Sequence, residues 1–471
     1  MSDFVSTIGD IAQVFDGPHA TPKKIEEGPY FLSISSLEKG ALDLSKSAHV
    51  SEEDFKKWTK RVTPKEGDVL FSYETRLGDA ALMLPGITAC LGRRMGLLRP
   101  NREKVIPEYL LYAYLSPAFQ ETIRANTIHG ATVDRIALKE MPSFEIRIPP
   151  IDEQKRTVEV LKALDAKIEL NRQTNQTLEQ IAQAIFRSWF VDFDPTRAKI
   201  AAKQSGQDPE RAAMAAISGK SLEEINRLCE EHDEHGSTNV AGAGSAGATL
   251  KQLKETAALF PDALVDSELG EIPAGWGTGK LSDLAEFKRE RFEVSELTFE
   301  NYISTENMLE NKSGITRASS LPKVKTVPRF EKGDILVSNI RPYFKKIWLA
   351  HFEGGRSGDV LGFKCKEPDQ VEYLYNFLYQ DSFFEFMMLT SKGAKMPRGD
   401  KNAIQGLEII LPSNELRKRY SSLVKFFYPK SYELVRESET LKNIRNMLLP
   451  KLLSGDIDPL LDAEDKGYMY V

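Results

Sequence analysis

Apolar side chains recur at heptad spacing through residues 151–190, a stretch without glycine or proline. This spacing places them on one face of an α-helix, and about 40 residues make a helix roughly 60 Å long. Because a lone helix with an apolar face is marginally stable in water, we predict that it packs against a partner helix. The apolar face contains Leu161, Leu164, Ile168, Leu178, Ile185 and Trp189.

The partner is predicted near the C-terminus, where the same heptad positions recur 263 residues later. Pro429 and Pro450 lack a backbone donor, so we expect each to kink or split this second helix. Asn171 and Asn175 interrupt the first face: either they fix the register of the pair, or the face is exposed there. We predict that the two helices form an antiparallel coiled coil. The partner face contains Phe427, Leu434, Leu441 and Leu448.

Short motifs outside these helices also occur twice in the same order, which indicates an internal repeat. Each copy has a Gly-Asp turn that leads into a buried strand, then an amphipathic helix, then a closing strand that proline ends. The chain therefore contains two copies of one mixed α/β domain. The matched pairs are Thr7–Ala12 with Lys280–Ala285, Gly67–Ser72 with Gly333–Ser338, Glu108–Leu111 with Glu372–Tyr375, and Glu145–Pro149 with Glu408–Pro412.

The predicted fold class is α+β, with two repeated mixed α/β domains separated by two long helices packed as an antiparallel coiled coil. The predicted segments are the first domain (1–150), a central spacer helix (151–195), a connector (196–275), the second domain (276–412) and a C-terminal spacer helix (413–471).

The composition indicates the cellular compartment in which the protein is expected. The chain has 471 residues, of which 41% are hydrophobic and 28% charged, as is usual for globular domains. No apolar run approaches the roughly 18–20 residues that cross a bilayer, and the N-terminus lacks a signal-peptide pattern. Cys90, Cys229 and Cys365 are too few and too scattered for a disulfide framework. We therefore expect a cytoplasmic protein that does not contact a membrane.

The formal net charge of −6 is concentrated in one segment. Residues 193–275 hold 8 basic and 14 acidic residues, and the rest of the chain is neutral. Because residues 240–248 are small and bury little apolar surface, we predict a helical, acidic and partly flexible connector. By contrast, residues 312–346 hold nine basic residues and two acidic ones, and residues 56–65 and 93–104 are also basic. Both copies can therefore contact phosphate groups.

Two similar domains at a fixed separation suit duplex DNA, in which equivalent grooves recur about every 34 Å. The candidate contacts follow each Gly-Asp strand and lie in a glycine loop of each copy. Glycine permits close backbone approach, and arginine can bind guanine through two hydrogen bonds, although most basic residues contact phosphate. The candidates are Arg76, Thr132 and Arg135 in the first copy, and Arg341, Tyr343, Lys345, Lys346, Lys395 and Arg398 in the second.

Catalytic and metal sites have little support in the sequence. Residues 219–221 (Gly-Lys-Ser) resemble the end of a phosphate loop, but the first glycine of that motif is missing. The chain lacks the Asn/Asp-Pro-Pro-aromatic tetrad of amino-methyltransferases, and the Pro-Pro pair at 149–150 opens a helix instead. Cys229, His232 and His235 are metal-ligating residue types without a fourth ligand. We predict neither a catalytic site nor a metal site.

Four longer motifs are distributed along the chain. They are residues 148–156 (Ile-Pro-Pro-Ile-Asp-Glu-Gln-Lys-Arg), 186–193 (Phe-Arg-Ser-Trp-Phe-Val-Asp-Phe), 266–276 (Asp-Ser-Glu-Leu-Gly-Glu-Ile-Pro-Ala-Gly-Trp) and 449–457 (Leu-Pro-Lys-Leu-Leu-Ser-Gly-Asp-Ile). Through these motifs nearly the whole chain resembles the DNA-specificity subunit of type I restriction–modification systems. The departure is the segment around residues 200–256, which is longer than the central region expected for that family.

The resemblance implies two target-recognition domains, each of which reads one half of a bipartite duplex DNA sequence. It also implies that the helices set the spacing and dock methylation subunits, two of them, and that restriction subunits complete the complex. S-adenosylmethionine, ATP and Mg²⁺ would then be bound by the partner subunits and not by this chain. Two alternatives stay open: a specificity subunit of a related system with fused nuclease and methylase, and a coiled-coil scaffold that binds only proteins.

Overall fold

The computed structural model of the chain divides into two compact units, Met1–Asn171 with Arg436–Val471, and Arg172–Val435. No helix in the part of the chain that the structure describes is long and apolar enough to cross a membrane. The structure describes residues 4–18, 20–38, 40–130, 133–234, 243–393 and 395–457.

The first unit contains the first α/β domain. Its strands are β1 (Val5–Thr7), β2 (Ala12–Asp16), β3 (Ile25–Phe31), β4 (Leu37–Glu38), β5 (Ala41–Leu42), β6 (Ala48–His49), β7 (Val69–Ser72), β8 (Ala80–Leu82), β9 (Ala89–Cys90), β10 (Met95–Pro100), β11 (Thr127–Ile128), β12 (Arg135–Ile136) and β13 (Glu145–Arg147). Its helices are α1 (Ile8–Ile11), α2 (Glu52–Trp58), α3 (Pro107–Leu115) and α4 (Pro117–Ala125).

The central sheet of this domain has the strand order β2-β10-β7-β8 and is antiparallel. All four residues of β7 are buried, and their side chains alternate between two cores. Val69 and Phe71 pack in the core that includes α3 and α4, whereas Leu70 packs in a second core on the other face. The strand is uniformly apolar apart from its last residue because both faces of the sheet are covered.

A long helix and four shorter ones follow the first domain. The long helix is α5 (Ile151–Phe190), and the shorter helices are α6 (Asp194–Gln204), α7 (Pro209–Ser218), α8 (Leu222–Glu234) and α9 (Ala243–Ala258). The described residues of the predicted connector are therefore largely helical. They have a small core that includes Met214 and Ile225, and the buried Lys199 ammonium pairs with Glu210 at 2.6 Å. Pairing offsets the cost of burying this charge.

The second unit contains the second α/β domain. Its strands are β14 (Leu264–Ser267), β15 (Gly270–Pro273), β16 (Gly277–Lys280), β17 (Ala285–Phe287), β18 (Arg291–Glu293), β19 (Tyr302–Ile303), β20 (Thr326–Phe330), β21 (Ile335–Ser338), β22 (Ile347–Leu349), β23 (Gly354–Arg356), β24 (Val360–Cys365) and β25 (Glu408–Leu411). Its helices are α10 (Leu281–Leu284), α11 (Val371–Tyr379), α12 (Asp381–Leu389), α13 (Lys401–Gln405) and α14 (Asn414–Val424).

The two domains share one topology. The sheet β17-β24-β21-β22 repeats the order of β2-β10-β7-β8, and β16 pairs with β25 as β1 pairs with β13. The parallel pair β3 and β9 is repeated by β19 and β23. In β21, Ile335 and Val337 pack in one core and Leu336 in another, as in β7. The repeat predicted from short motifs therefore extends to the pairing of the strands.

The last helix of the described chain, α15 (Phe427–Ser454), pairs with α5 in the first unit. Asp165 contacts Arg445 at 2.7 Å, and the Asn171 side-chain amide donates to Glu437 at 2.8 Å. Residue numbers rise along one helix as they fall along the other, so the pair is antiparallel. This arrangement confirms the predicted α+β class, with two repeated mixed α/β domains and an antiparallel pair of long helices.

The predicted heptad faces are turned inward. Asn171 is also buried and hydrogen-bonded, so the face is not exposed at this position. Among the predicted positions, Leu161, Trp189 and Leu434 are buried, and Leu164, Ile168, Leu178, Ile185, Phe427, Leu441 and Leu448 are half-buried.

The two prolines of the C-terminal helix behave differently. A break at Lys425 and Phe426 separates α14 from α15, and Pro429 lies in the first turn of α15, where its missing donor is tolerated. Of the expected kink or split at Pro450, the split is wrong, because α15 continues through Pro450 to Ser454. Near a helix end, a proline removes few backbone hydrogen bonds, so the packing of the neighbouring leucines outweighs the loss.

Candidate nucleic-acid interface

In each domain, the loop that leaves a central strand lies against a β-hairpin. We call residues 73–79, after β7, the first exit loop, and residues 127–136, which hold β11 and β12, the first hairpin tip. The second exit loop is residues 339–346, after β21, and the second hairpin tip is residues 392–398. These four segments contain all the candidate DNA contacts.

Backbone hydrogen bonds join the loop to the tip in the first domain. Glu74 and Arg135 form an antiparallel β-bridge. The amide of Thr75 donates to the carbonyl of Asp134 at 3.2 Å. Thr75 has a φ of 70°, a left-handed conformation that is costly for a β-branched residue and is held here by these contacts.

The second domain repeats this joint at the equivalent positions. Ile340 and Arg398 form an antiparallel β-bridge. The amide of Arg341 donates to the carbonyl of Pro397 at 2.8 Å, and Arg341 has a φ of 50°. Both domains therefore present their tips on the same backbone frame, including the left-handed residue.

Arg76 is engaged within the first domain. Its guanidinium donates to the carbonyls of Ile34 at 3.1 Å and Leu37 at 3.0 Å, and it pairs with Asp79 at 2.7 Å. These bonds use several of the five donors of the side chain. Arg76 therefore holds the first exit loop against residues 34–37, at the start of β4, which leaves it few donors for a ligand.

The first hairpin tip carries the other first-copy candidates. Arg135 is exposed, and Thr132 lies outside the described residues. The imidazole Nδ1 of His129 lies 3.1 Å from a carboxylate oxygen of Asp134, and their side chains are 79% and 50% exposed. The first hairpin tip therefore exposes a carboxylate, an imidazole and a guanidinium, all of which can form hydrogen bonds.

The second exit loop presents an aromatic side chain beside a half-buried arginine. Tyr343 is 47% exposed, and its ring lies 4.6 Å from that of Phe344. The Nε of Arg341 is buried and has no hydrogen-bond partner among the described residues. Such an unsatisfied donor is uncommon in a protein interior and is consistent with a site that a ligand completes.

The two lysines of this loop are each held by a neighbour. Lys345 pairs with Asp381 at 3.0 Å, and Lys312 contacts the same carboxylate at 2.7 Å. Lys312 and Lys345 hold the pKa of Asp381 below its usual value by hydrogen bonding. Lys346 donates to the carbonyl of Thr305 at 2.8 Å. Both lysines therefore order the loop in the free protein.

The second hairpin tip is more basic than the first. Lys395 is exposed, and Arg398, which is 55% exposed, pairs with Asp359 at 3.2 Å. Lys392 pairs with Asp400, and this contact, with the first amides of α13, lowers the pKa of the Asp400 carboxyl. Met396 is exposed beside these charges. Lysine and arginine in this setting suit phosphate or guanine.

One ion pair at the joint of each domain was missed from the sequence. In the first domain, Arg94 pairs with Glu74 at 3.0 Å, and in the second domain Asp359 pairs with Arg398. Arg94 and Asp359 lie at equivalent positions just before β10 and β24. The equivalence follows from the strand register, in which Met95 and Val360 pair with the equivalent Ser72 and Ser338. The offset between the copies drifts from 266 to 263 in this region, so the sequence motifs alone did not reveal this exchange of charge.

The interface has the donors and acceptors of a binding surface. No group of three or more His, Cys, Asp or Glu side chains in the described ranges is arranged to hold a metal ion. Cys229 and His232 are among the described residues and His235 is not. The arrangement can hold an anionic polymer and hydrogen-bond to base edges.

Comparison with known proteins finds the same family that the sequence motifs resemble. The family model of the type I restriction modification DNA specificity domain matches residues 2–180. The specificity subunit of type I restriction enzyme HindI from Haemophilus influenzae is 30% identical over 424 residues, which cover 83% of this chain and 87% of that protein. The MjaIX specificity subunit from Methanocaldococcus jannaschii is 23% identical over 463 residues, 94% of this chain and 87% of that protein.

A solved structure shares the fold. The crystal structure of the S subunit of a type I restriction–modification system from M. genitalium aligns with a TM-score of 0.51 and 12% identity, over 95% of each chain. At this identity the likeness concerns the fold alone. It agrees with the two repeated domains and the long helices of this chain.

Proposed function

Because the chain belongs to the type I restriction–modification DNA specificity family, we propose that its two hairpin tips read the two halves of a bipartite duplex DNA sequence. The chain is a non-catalytic recognition subunit. The observation that carries the assignment of the tips is the shared joint. One backbone frame presents two different sets of side chains, as two readers of different half-sites require.

In this proposal, the side chains of each tip have two different roles. Exposed lysines and arginines such as Lys395 contact phosphates, which sets the register of the protein on the duplex but carries no sequence information. Side chains that reach base edges in a groove supply the discrimination. Tyr343 adds an exposed aromatic face and a hydroxyl next to the second tip.

The partners follow from the same family. The chain docks methylation subunits, two of them, and restriction subunits, and its paired helices set the distance between the half-sites. S-adenosylmethionine, ATP and Mg²⁺ are bound by those partners and support their chemistry. The protein works in the cytoplasm, where duplex DNA and these cofactors are available.

Replacing the first domain tests the assignment. Residues 1–150 are exchanged for the corresponding domain of a relative with another specificity, and methylated adenines are mapped in host DNA. We expect one half of the recognition sequence to change and the other to stay the same. A change in both halves, or in neither, would contradict separate readers.

A binding measurement separates recognition from a purely protein-binding scaffold. The chain in complex with its methylation subunit is titrated with a duplex that carries the mapped sequence and with a scrambled duplex. Recognition requires tighter binding to the mapped sequence and a fall in affinity as salt rises. Equal binding to both duplexes without a salt dependence would exclude it.

A further inference from the structure

A cleft of about 470 Å³ opens on the first domain between the end of β2 and the segment after α2. Asp16 and Gly17 line one side. Lys57, Lys60 and Arg61 line the other. None of these residues belongs to the first exit loop or the first hairpin tip. The cleft is therefore a separate surface of the same domain.

The cleft is basic. Arg61 is largely exposed and places one guanidinium nitrogen 2.8 and 2.9 Å from the two carboxylate oxygens of Asp16. Lys57 and Lys60 are exposed, and within the described ranges neither forms an ion pair. Three cations thus share a concave surface with one carboxylate. Concave surfaces of one charge sign concentrate ligands of the opposite sign.

The shape of the cleft is fixed by its backbone and by an aromatic ring. The amide of Gly17 donates to the carbonyl of Met95 at 2.8 Å, and a Cβ at position 17 would lie 2.8 Å from carbonyl oxygens. Trp58 packs against the core of Phe31, Val50 and Cys90. A rigid wall lowers the entropic cost of binding.

Tyr73 begins the first exit loop, and its amide donates to the carbonyl of Arg94 at 3.2 Å, next to the Met95 carbonyl that accepts from Gly17. Burial raises the pKa of Tyr73 to about 12, with Glu74 and Asp16 acting in the same direction and Arg93 and Arg61 opposing them. These four charged groups therefore lie around the start of the loop that holds the first hairpin tip. The Gly17 wall of the cleft and the first exit loop are therefore joined through the adjacent residues 94 and 95.

We propose that this cleft binds the phosphodiester backbone of the DNA duplex beside the half-site that the first hairpin tip reads. The proposal rests on the proposed function. Lys57 and Lys60 supply ammonium groups, and Arg61 exchanges its intramolecular carboxylate for a phosphate. A stacked base is a poorer fit, because the Lys57 ammonium lies over the Trp58 ring, 4.9 Å from its centroid, and the ring packs on the core.

The test compares two double variants of the chain in complex with its methylation subunit. In one, Lys57→Ala is combined with Lys60→Ala. In the control, Lys104→Ala is combined with Lys139→Ala, two exposed lysines of the first domain that lie outside the cleft and outside the long helices, so that both variants lose the same charge. Binding to the mapped duplex and to a scrambled duplex is measured between low and high salt.

We expect the cleft variant to bind both duplexes roughly tenfold more weakly than the control. Its plot of log affinity against log salt should be shallower by about 0.9 for each phosphate that the cleft no longer neutralises, with the preference for the mapped duplex unchanged. The reverse change, Asp16→Asn, should tighten binding to both duplexes about two- to fivefold, because Arg61 loses its competitor.

Three results would overturn the proposal. If the cleft variant matched the control in affinity and salt slope while the parent complex bound specifically, only the cleft assignment would fail. If affinity fell on the mapped duplex alone, the cleft would read bases instead. If the parent complex itself showed no salt-dependent binding, the proposed recognition function would fail together with the cleft.

Discussion

The first hairpin tip exposes Asp134 and Arg135, whereas the second exposes Lys395 and Arg398. Both tips sit on exit loops through the same β-bridge and the same amide-to-carbonyl bond. The backbone frame is thus held constant while the charge on it changes from balanced to basic. In the proposed function, this frame positions each hairpin and the side chains on the hairpin select the base.

The two domains also differ in how they meet the helices. In the second unit, the ring of His351 stacks on Tyr432 of α15 at 4.7 Å. In the first unit, Arg147 donates to the carbonyl of Leu453 at 2.7 Å. The contact of the second domain with α15 thus includes an aromatic stack with a half-buried titratable ring, and that of the first domain includes a charged side chain on a helix end.

Removing the charge of the second tip should have the largest effect. We expect the double change Lys395→Ala and Arg398→Ala to weaken binding to the mapped duplex by about 2–4 kcal/mol, because the proposed function assigns contacts with phosphates and base edges to these side chains. Binding isotherms of the assembled complex on duplexes scrambled in one half-site provide the measurement. Discrimination should fall at the half-site of the second domain.

A matched control lies at the other end of β24. Lys364 and Lys366 are exposed in the same domain, so Lys364→Ala with Lys366→Ala removes equal charge away from the tip. The control should retain discrimination at both half-sites. If the control and the tip variant lost affinity equally, the second tip would act only through the overall charge of the domain.

The stability of the second unit should fall at acidic pH. Burial lowers the pKa of His351 to about 4, and Lys332 adds to the shift. The unfolded chain takes up a proton near pH 6.5 and the folded chain does not, so stability falls as pH drops from 6.5 towards 4. We expect this ring to account for about 2 kcal/mol of the stability lost between pH 7 and pH 4.5.

Replacing His351 by phenylalanine keeps the stack and removes the proton site. Chemical unfolding of the full chain at pH 7 and pH 4.5 should show a smaller loss of stability for His351→Phe than for the parent. Tyr432→Phe, which keeps both rings, is the control and should follow the parent. If His351→Phe and the parent lost the same stability between pH 7 and pH 4.5, protonation of His351 would not explain the loss.

Much of the fold was predictable because the chain repeats itself. The Gly-Asp motifs marked β7 and β21, and the closing motifs marked β13 and β25, because each combines a turn residue with a short apolar run. The heptads marked α5 and most of α15, because period 3.5 persists over many turns. These signals are local, so tertiary contacts reinforce them and seldom change them.

The candidate interface was predictable only as segments. Arg76 follows β7 as expected, but its donors are used by the carbonyls of Ile34 and Leu37, which are about 40 residues away in sequence. The pairing of Arg94 with Glu74, and of Arg398 with Asp359, also depends on the packing of distant loops. A sequence pattern shows which charges are present and not which are neutralised.

The smallest expected effect concerns the acid of the first tip. Asp134 is an acceptor that suits the amino group of cytosine, whereas asparagine suits adenine. We expect Asp134→Asn to shift the preference at one base pair of the first half-site by about 1 kcal/mol and to leave the second half-site unchanged. Selection of bound duplexes from a pool randomised at the first half-site measures the shift.

The control is Glu121→Gln, which removes the same charge from an exposed acid on α4, away from the tip. It should leave the preference at every position as in the parent. A uniform gain in affinity for both variants, without any change of preference, would mean that Asp134 acts only as a repelling charge and does not read a base.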